Sequence, residues 1–524
     1  MMVDAKMAEQ VEDTLIKSNL SVGKAAVIVM FLSGVAILTA FFREMTVAYY
    51  FGASAELDSF LVALSIPHFV GESLVVASVI ALIPVFAKIR AAEGDLSMMK
   101  KISNLAVVNL LGLSVFTAIY VFAAPFIIRA IAPGFEEYRY GLALRLTIFL
   151  APLTILSGSL GVLKAIHNIT RRFAYPELGR SLVSLGIVGA LVLFTSRYGI
   201  WAIAAGFIIG TALAMALNAL PLAPLHPSLK LGFNLRAPEI KEYLKILLPV
   251  LISSGIYYIH IIVNTVFAST LDAGSVSALR YASTVIMVPI TLIGGALGTA
   301  IYPAFADLWA QNKKQEFNEI ATKAIRITFF LSLPLTAILF TNSEPIIKVL
   351  FERGKFTSET SSLCSSLLAI SSLNLVSSIG GGIFTRVLFA AGKIYTASFA
   401  MAILSISPNV LLNILLTPIY GVQGIVSATV ISGAFTLLVY MYVYQKLIQT
   451  EKLRMLAPFL RATVVSIIIA LIGYGLQFYT PALTPLLRLG IIGGVETLLL
   501  LILASIICPT EMKWATRLLP SFKK

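Results

Sequence analysis

The segment LRYASTVIMVPITLIGGALGTAIYPAFADLW, residues 279–309, is apolar for almost its whole length. It is long enough to cross a bilayer as a helix, which takes about 20 apolar residues. It nevertheless contains an arginine, which is costly in hydrocarbon, and residues that weaken helices. These exceptions are Arg280, Pro289, Gly294, Gly295 and Gly298. A similar arrangement surrounds Pro67, 222 positions earlier.

The composition of the whole chain agrees with this segment. Of 524 residues, 58% are hydrophobic and 12% are charged, whereas soluble domains carry about 25% charged residues. The apolar residues form many stretches of span length separated by short polar clusters, a pattern typical of polytopic helical membrane proteins. A transmembrane β-barrel would show shorter, alternating strands. We therefore predict an all-α membrane protein.

Fourteen transmembrane helices are predicted from the apolar stretches. Their ranges are 22–43, 58–87, 103–128, 141–165, 178–196, 199–222, 243–270, 277–307, 321–342, 362–391, 395–417, 421–445, 459–479 and 486–508. Every second linker is rich in lysine and arginine, so the positive-inside rule predicts that both termini are cytoplasmic. The net charge of +14 then reflects orientation in the membrane, and no nucleic-acid partner is expected.

An internal repeat at an offset of about 222 residues organises the chain. Tyr198-Gly199-Ile200 recurs as Tyr420-Gly421-Val422, and GVLKAIHN (161–168) resembles RVLFAAGK (386–393). We interpret the repeat as a duplication that gives two pseudo-symmetric six-helix lobes, which is typical of transporters that rock around a central site. The predicted parts are a cytoplasmic N-terminal segment (1–21), an N-lobe (22–222), a cytoplasmic linker (223–242), a C-lobe (243–446), two further helices (447–510) and a cytoplasmic tail (511–524).

The prolines and glycines of the repeat are interpreted as hinges. A proline in helix 2 and its equivalent in helix 8 would let both helices bend at corresponding depths. The glycines after the second proline would permit bending or close helix approach, although ordinary packing in a membrane helix is the alternative for them. The predicted hinge residues are Pro67, Pro289, Gly294, Gly295 and Gly298.

Ionisable residues inside the spans are the candidates for a functional site, because charge within hydrocarbon usually faces a cavity or a partner. Asp58 and Arg280 each lie nine positions before the equivalent prolines, so the repeat places an acid and a base at matching positions. The predicted cavity residues are Arg43, Glu44, Asp58, Glu72, Arg280 and Arg386. Contact with water at the outer interface is the alternative for Asp58 and Arg280.

The sequence shows no signature of an enzyme, an ATP-driven pump or a metal centre. It has no phosphate-binding loop, its acids are sparse, and its four histidines lack ligand spacing. Cys364 and Cys508 fall in apolar segments and do not suggest a disulfide framework or a metal site. No cofactor is expected, so a transport cycle would draw on the membrane potential, a monovalent cation gradient or the gradient of the substrate.

Several stretches resemble the MviN/MurJ family. They are REMTVAYYFGASAELDSFLVALSIP (43–67), APGF (132–135), AIHNITRRFAYP (165–176), GGALGTAIYPAFA (294–306) and FERGKFT (351–357). The matches occur in the family's order between about residues 22 and 446, and the family also has fourteen helices. The chain is thereby identified as similar to that branch of the multidrug/oligosaccharidyl-lipid/polysaccharide exporter superfamily.

The resemblance implies a flippase for lipid II, the undecaprenyl-diphosphate-linked disaccharide pentapeptide from which peptidoglycan is built. Helices 13 and 14 would shape a lateral groove for the polyprenyl tail. The expected location is the bacterial cytoplasmic (inner) membrane, and the expected state is a monomer. Its expected partners are the polyprenyl-diphosphate-linked glycan lipid, membrane lipids and cell-wall synthesis proteins.

The chain departs from the family at some cavity positions. Arg43 matches a family arginine, but Ile37 stands where a second is usual, and helix 2 reads HFVGES (68–73) where a third is expected. In helix 8 the expected arginine aligns with Thr284, one helical turn from Arg280, and Thr284 joins the predicted cavity residues. An exporter of O-antigen or capsular units, a cation-coupled drug exporter and a non-transporting envelope scaffold remain alternatives.

Some family members are thought to couple transport to a monovalent cation through oxygen ligands in helices 7, 11 and 12. The residues that match these positions here include Asn409, Asn413 and Thr429. No carboxylate accompanies them, so hydrogen bonding between helices is the alternative to a cation site.

Overall fold

The computed structural model describes residues 22–222, 232–392, 401–448 and 456–518. The predicted segment 1–21, most of the first half of the linker 223–242, the start of the span 395–417, the start of the region 447–510 and the end of the tail lie outside these residues. The described residues form seventeen helices and no β-strand. The predicted all-α class is therefore confirmed.

The helices are numbered here in chain order. The first seven are α1 Val22–Phe51, α2 Ala55–Ile131, α3 Glu137–Phe149, α4 Ala151–Ile169, α5 Ala174–Tyr198, α6 Trp201–Ala219 and α7 Pro238–Ser269. The remainder are α8 Ser275–Pro289, α9 Gly295–Ala310, α10 Lys314–Thr341, α11 Ser343–Phe351, α12 Ser358–Ser372, α13 Leu375–Ala390, α14 Met401–Ile448, α15 Leu456–Tyr479, α16 Pro485–Ile507 and α17 Pro509–Leu518. The short helices α11 and α17 are not predicted from the sequence.

The helices are long and apolar enough for a multi-pass membrane protein. Within the described ranges, nine helical segments can cross a membrane, or eleven if the bent pairs α3–α4 and α12–α13 each count as one span. Two helices far exceed the length of one span, because α2 has 77 residues and α14 has 48. Each contains one non-helical residue, Gly94 or Gly421, and each is long enough for two of the predicted spans. The count of fourteen stays a prediction.

The first compact unit comprises Met1–Gly274. In it α2 packs on α3, α4 and α7, while α5 packs on α1 and α6. The buried hydroxyls of Ser78 and Tyr243 lie 3.2 Å apart and link α2 to α7. Helix α7 thus belongs to this unit by contact, whereas the repeat groups it with the second lobe. The two divisions differ because the repeat is identified from the sequence, whereas the compact units are defined by contacts between helices.

The second compact unit comprises Ser275–Lys524. Helix α10 is its central element and packs on α9, α12, α13, α15 and α17. Its apolar side chains Phe317, Ala321, Ile325 and Phe329 are all buried. These five helices of the unit are therefore arranged around α10.

The segment with the proline and the three glycines is not one continuous α-helix. Helix α8 ends at Pro289, a π-helical turn covers Ile290–Gly294, and α9 begins at Gly295. Proline removes one helix hydrogen bond and clashes with the preceding turn, and π-helical turns are frequent at functional sites. Pro67, by contrast, lies inside the regular helix α2. The hinge roles of these residues stay predictions.

Backbone conformation supports the predicted duplication. Residues with positive φ recur at offsets of 221 or 222 in the two halves of the chain. These pairs are Gly52 and Gly274, Arg171 and Gly392, and Gly199 and Gly421. The last pair agrees in both angles, with φ 55° and ψ −129° at Gly199 and φ 57° and ψ −133° at Gly421. The repeated sequence thus makes the same tight turn twice.

Substituting the glycine of this turn tests conformational strain in the absence of a steric clash. A Cβ at Gly199 or Gly421 would meet no atom within 4 Å. Each Gly→Ala change should still cost about 1–3 kcal/mol, because the required backbone angles disfavour side chains. We expect lower unfolding temperatures for G199A and G421A in detergent micelles.

Gly189 is the matched control for this test. It lies inside α5, the helix that ends just before Gly199, and a Cβ there also meets nothing within 4 Å. Because Gly189 is helical, Gly189→Ala should leave stability unchanged or raise it slightly. An equal loss in all three variants would contradict the conformational explanation.

Candidate functional site

Arg43 and Glu44 form a largely buried ion pair in α1, about two turns before its end. The Arg43 Nη2 donates to Glu44 Oε1 at 2.7 Å, and the two side chains are 17% and 8% exposed. The guanidinium also lies 5.9 Å from the ring centre of Phe207 in α6. A buried charge is tolerated when it is paired in this way. An anionic ligand of Arg43 would therefore compete with Glu44.

Asp58 is fully buried at the start of α2 and holds a loop in place. Its Oδ2 accepts a hydrogen bond of 2.7 Å from the backbone N–H of Gly274. Gly274 has φ 95°, and a Cβ there would lie 2.8 Å from the carbonyl oxygen of Ala53. The carboxylate thus joins the first turn of α2 to the loop after α7. Its place in a cavity stays a prediction, and its role as a backbone acceptor is observed.

Arg280 and Thr284 lie one turn apart on α8, and both are half-buried. The Thr284 hydroxyl donates to the Arg280 carbonyl at 3.0 Å, so its single proton is used within the helix. This leaves the guanidinium as the group of this pair suited to an anion. Arg280 and Thr284 belong to the second unit, whereas Asp58 belongs to the first.

Arg386 of α13 and Gly298 of α9, both predicted from the sequence, are in contact. A Cβ on Gly298 would lie 2.0 Å from Arg386 Cζ, so the guanidinium occupies the space that a glycine leaves open. Its Nη1 donates to the Gly382 carbonyl at 3.3 Å. No carboxylate among the described residues pairs with it within ion-pair distance. A cationic group in a membrane span with only a carbonyl acceptor is suited to binding an anion.

Lys164 of the first unit is a residue that the sequence analysis did not identify, because it lies at the end of the predicted span 141–165, beside a basic linker. It lies within α4 and interacts electrostatically with Glu72 of α2, and also with Glu177 and Arg180 of α5. Glu177 accepts hydrogen bonds from Arg180 at 2.9 Å and from Ser33 of α1 at 3.1 Å. The signal was available, since Lys164 interrupts the apolar run GVLKAI (161–166).

Glu496 of α16 is a second residue that was missed. It is fully buried and accepts hydrogen bonds from Thr341 and Asn342. It is the single acid in GIIGGVETLLLLILA (490–504). The rule that intramembrane ionisable residues mark important positions would have found it.

The three predicted cation ligands are brought together in α14. Asn409 Nδ2 lies 3.4 Å from Thr429 Oγ1, and Asn413 Nδ2 donates to the Asn409 carbonyl at 2.9 Å. Asn413 Oδ1 accepts from Thr417 at 3.4 Å. Each of the two amides therefore has protein partners, as the hydrogen-bonding alternative expects. In the described part of the chain no group of three or more His, Cys, Asp or Glu could hold a metal ion, and the monovalent cation site stays a prediction.

The predicted cavity residues are divided between the two units. Arg43, Glu44, Asp58 and Glu72 lie in the first, and Arg280, Thr284 and Arg386 lie in the second. Each unit thus contributes at least one arginine inside an apolar helix. A single cavity shared by both sets stays a prediction.

Comparison with known proteins places the chain in a family. The family model described as "Lipid II flippase MurJ" matches residues 47–489. A protein named "Probable lipid II flippase MurJ" from Synechocystis is 27% identical over 448 residues, which cover 82% of this chain and 83% of the relative. A protein named "Lipid II flippase MurJ" from Burkholderia cenocepacia is 25% identical, with 74% of this chain and 77% of the relative covered.

Solved structures share the fold. One titled "Lipid II flippase MurJ, inward closed conformation" matches with a TM-score of 0.77 and 23% identity, covering 92% of this chain and 98% of the other. An inward-facing multidrug resistance MATE family transporter of the MOP superfamily matches with a TM-score of 0.66 and 16% identity, covering 81% and 98%. Because the family model covers most of the sequence, the chain belongs to the MurJ family.

Proposed function

We propose that this protein is a flippase that moves lipid II from the inner to the outer leaflet of the bacterial cytoplasmic membrane by alternating access. The observation that carries the proposal is the family match over residues 47–489. The names of the curated relatives and the shared fold support it. The basic linkers would face the cytoplasm under the positive-inside rule.

The chemistry of the site suits a diphosphate head group. A diphosphate carrying sugars cannot enter hydrocarbon unaided, whereas its polyprenyl tail is soluble there. Guanidinium groups bind phosphate oxygens through two hydrogen bonds and stay charged in a partly dry site. Arg43, Arg280 and Arg386 are arginines inside apolar helices, and we assign them to the head group.

The departures from the family at Ile37 and Thr284 support a second candidate function. That candidate is the transport of a polyprenyl-linked glycan with a different sugar unit, such as an O-antigen or capsular unit. Both functions use the same tail and the same diphosphate chemistry. The glycan attached to the lipid is therefore the variable that an experiment must change.

Complementation tests the proposed function directly. The chain should restore growth to a bacterium depleted of its lipid II flippase, and labelled lipid II should become accessible at the outer leaflet. Failure to restore growth at normal protein abundance, together with transport of another polyprenyl-linked glycan, would favour the second candidate.

Substitution of Arg280 tests recognition of the diphosphate. Loss of a charged hydrogen bond costs about 1.5–3 kcal/mol, so Arg280→Ala should lower the flipping rate by about 10- to 100-fold. Arg280→Lys should recover part of the activity, because it restores the charge but not the two-point geometry. Arg43→Ala and Arg43→Lys should behave in the same way.

The control for these variants is Arg145→Ala, which removes an exposed arginine that donates to the Gly141 carbonyl. It should transport at the normal rate. Full activity of both R43A and R280A would show that neither arginine binds the diphosphate.

A glycine pair tests the position of Arg386. Gly298→Ala would place a Cβ 2.0 Å from Arg386 Cζ and displace the guanidinium, whereas Gly295→Ala meets nothing within 4 Å. We expect G298A to reduce flipping by about tenfold or more and G295A to retain it. The measurement is outer-leaflet accessibility of labelled lipid, normalised to protein abundance. Equal activity of the two variants would mean that Arg386 does not act from this position.

A further inference from the structure

The end of α10 is interrupted by a proline. In a continuous helix the N–H of residue 345 would donate to the Thr341 carbonyl, but Pro345 has no N–H. Helix α10 accordingly ends at Thr341, and α11 begins at Ser343. Thr341 is 4% exposed and Asn342 is not exposed at all. The Thr341 carbonyl therefore needs a donor from elsewhere, because an unpaired buried carbonyl is costly.

The two helices that follow the predicted repeat, α15 and α16, supply hydrogen-bond partners for the polar groups at this break. Gln477 Nε2 of α15 donates to the Thr341 carbonyl. The Thr341 hydroxyl donates to Glu496 Oε1 of α16 at 2.6 Å, and Asn342 Nδ2 donates to Glu496 Oε2 at 2.5 Å. Each oxygen of the buried carboxylate thus receives one neutral donor from the break.

Helix α15 has a glycine at the position where the carboxylate of Glu496 packs against it. A Cβ on Gly473 would lie 1.8 Å from Glu496 Oε1, so only glycine leaves room for the side chain at this position. Gly473 and Gln477 are one helical turn apart and share a face. The same face of α15 therefore makes space for Glu496 and supplies the donor for the broken helix.

Further contacts flank this centre along α16 and α17. Arg488 and Lys348 both donate to Glu344 of α11, at 3.3 and 2.8 Å, and the hydrogen bond from Lys348 is the main reason that the pKa of Glu344 lies below its ordinary value. Beyond the other end of α16, Arg326 Nε of α10 donates to Glu511 of α17 at 2.9 Å. Polar contacts thus hold the C-terminal helices to α10 and α11 at three levels.

We propose that Glu496 is a positioning residue that fastens α15 and α16 to the break after α10. Through this contact α10, α15 and α16 move as one rigid body. Glu496 acts through Thr341 and Asn342 and does not touch the substrate. Its link to transport rests on the proposed function and on the expectation that predicted helices 13 and 14, here α15 and α16, form the wall of a groove for the polyprenyl tail. Without the fastening, this wall would separate from α10 while the rest of the unit stays folded.

The two cysteines of the chain are native reporters for this separation. Cys508 is buried at the end of α16 in an apolar cluster with Phe330 and Ala337 of α10 and Val465 of α15. Cys364 is buried in α12, with its Sγ 3.9 Å from the Ala278 carbonyl. Detachment of α16 should expose the first thiol and leave the second protected.

The test compares labelling of both thiols by N-ethylmaleimide in the full-length protein, read by peptide mass spectrometry. Glu496→Leu removes both hydrogen bonds of the carboxylate, and Gly473→Ala excludes the carboxylate from its place. We expect Cys508 to react about 5- to 150-fold faster in each variant, which corresponds to a loss of about 1–3 kcal/mol, with Cys364 unchanged. Lipid flipping should fall in the same variants.

Two further variants make the test specific. Gly475→Ala lies on the same helix, meets nothing within 4 Å and should behave as the unmodified protein. Glu496→Gln keeps one acceptor oxygen and should recover part of both the protection and the transport. Unchanged Cys508 labelling in E496L and G473A would overturn the proposal, and so would equal acceleration at both thiols.

The labelling result does not depend on the substrate. If Cys508 becomes reactive as expected but the unmodified protein does not move lipid II, the fastening stands and the proposed function fails. If flipping falls in E496L while Cys508 stays protected, the positioning role is wrong and the flippase assignment is unaffected.

Discussion

Hydrocarbon offers no hydrogen bonds, so every polar group that enters it must find a partner inside the protein. This constraint selects helices for the whole described chain, because a helix satisfies its own backbone. It also explains what happens where a proline interrupts a helix. Where Pro345 releases the Thr341 carbonyl, Gln477 supplies the missing donor. Where Pro289 ends a helix, a π-helical turn continues the chain to Gly295.

Charged groups obey the same constraint in two ways. Arg326 with Glu511 is neutralised within the protein, and this pair holds α10 and α17 together. Arg386 has a carbonyl acceptor and the space above Gly298, and Lys164 interacts at longer range with Glu72. Groups of the second kind can exchange a protein partner for a substrate without breaking an ion pair, whereas Arg43 must first separate from Glu44.

The break after α10 connects the MurJ-family core to its two additional helices. Transporters commonly use interrupted helices where the chain must bend or bind. Here the interruption is filled by side chains of α15 and α16, so the added helices are part of the same hydrogen-bonded structure as α10.

The sequence by itself determined the all-α class of a multi-pass membrane protein, and it predicted the spans and the duplication. These follow from local properties: apolar length sets a span, and a glycine such as Gly199 or Gly421 marks a turn wherever it recurs. It also identified Arg43, Arg280 and Arg386 as unusual, since charge in an apolar run is visible in one dimension. The sequence did not show which partner each charge would find. Asp58 meets a backbone N–H 216 residues away, and Glu496 meets Thr341 across 155 residues. Only the tertiary structure decided these pairings, because a buried polar group takes whichever partner the packing of distant helices brings within about 3 Å.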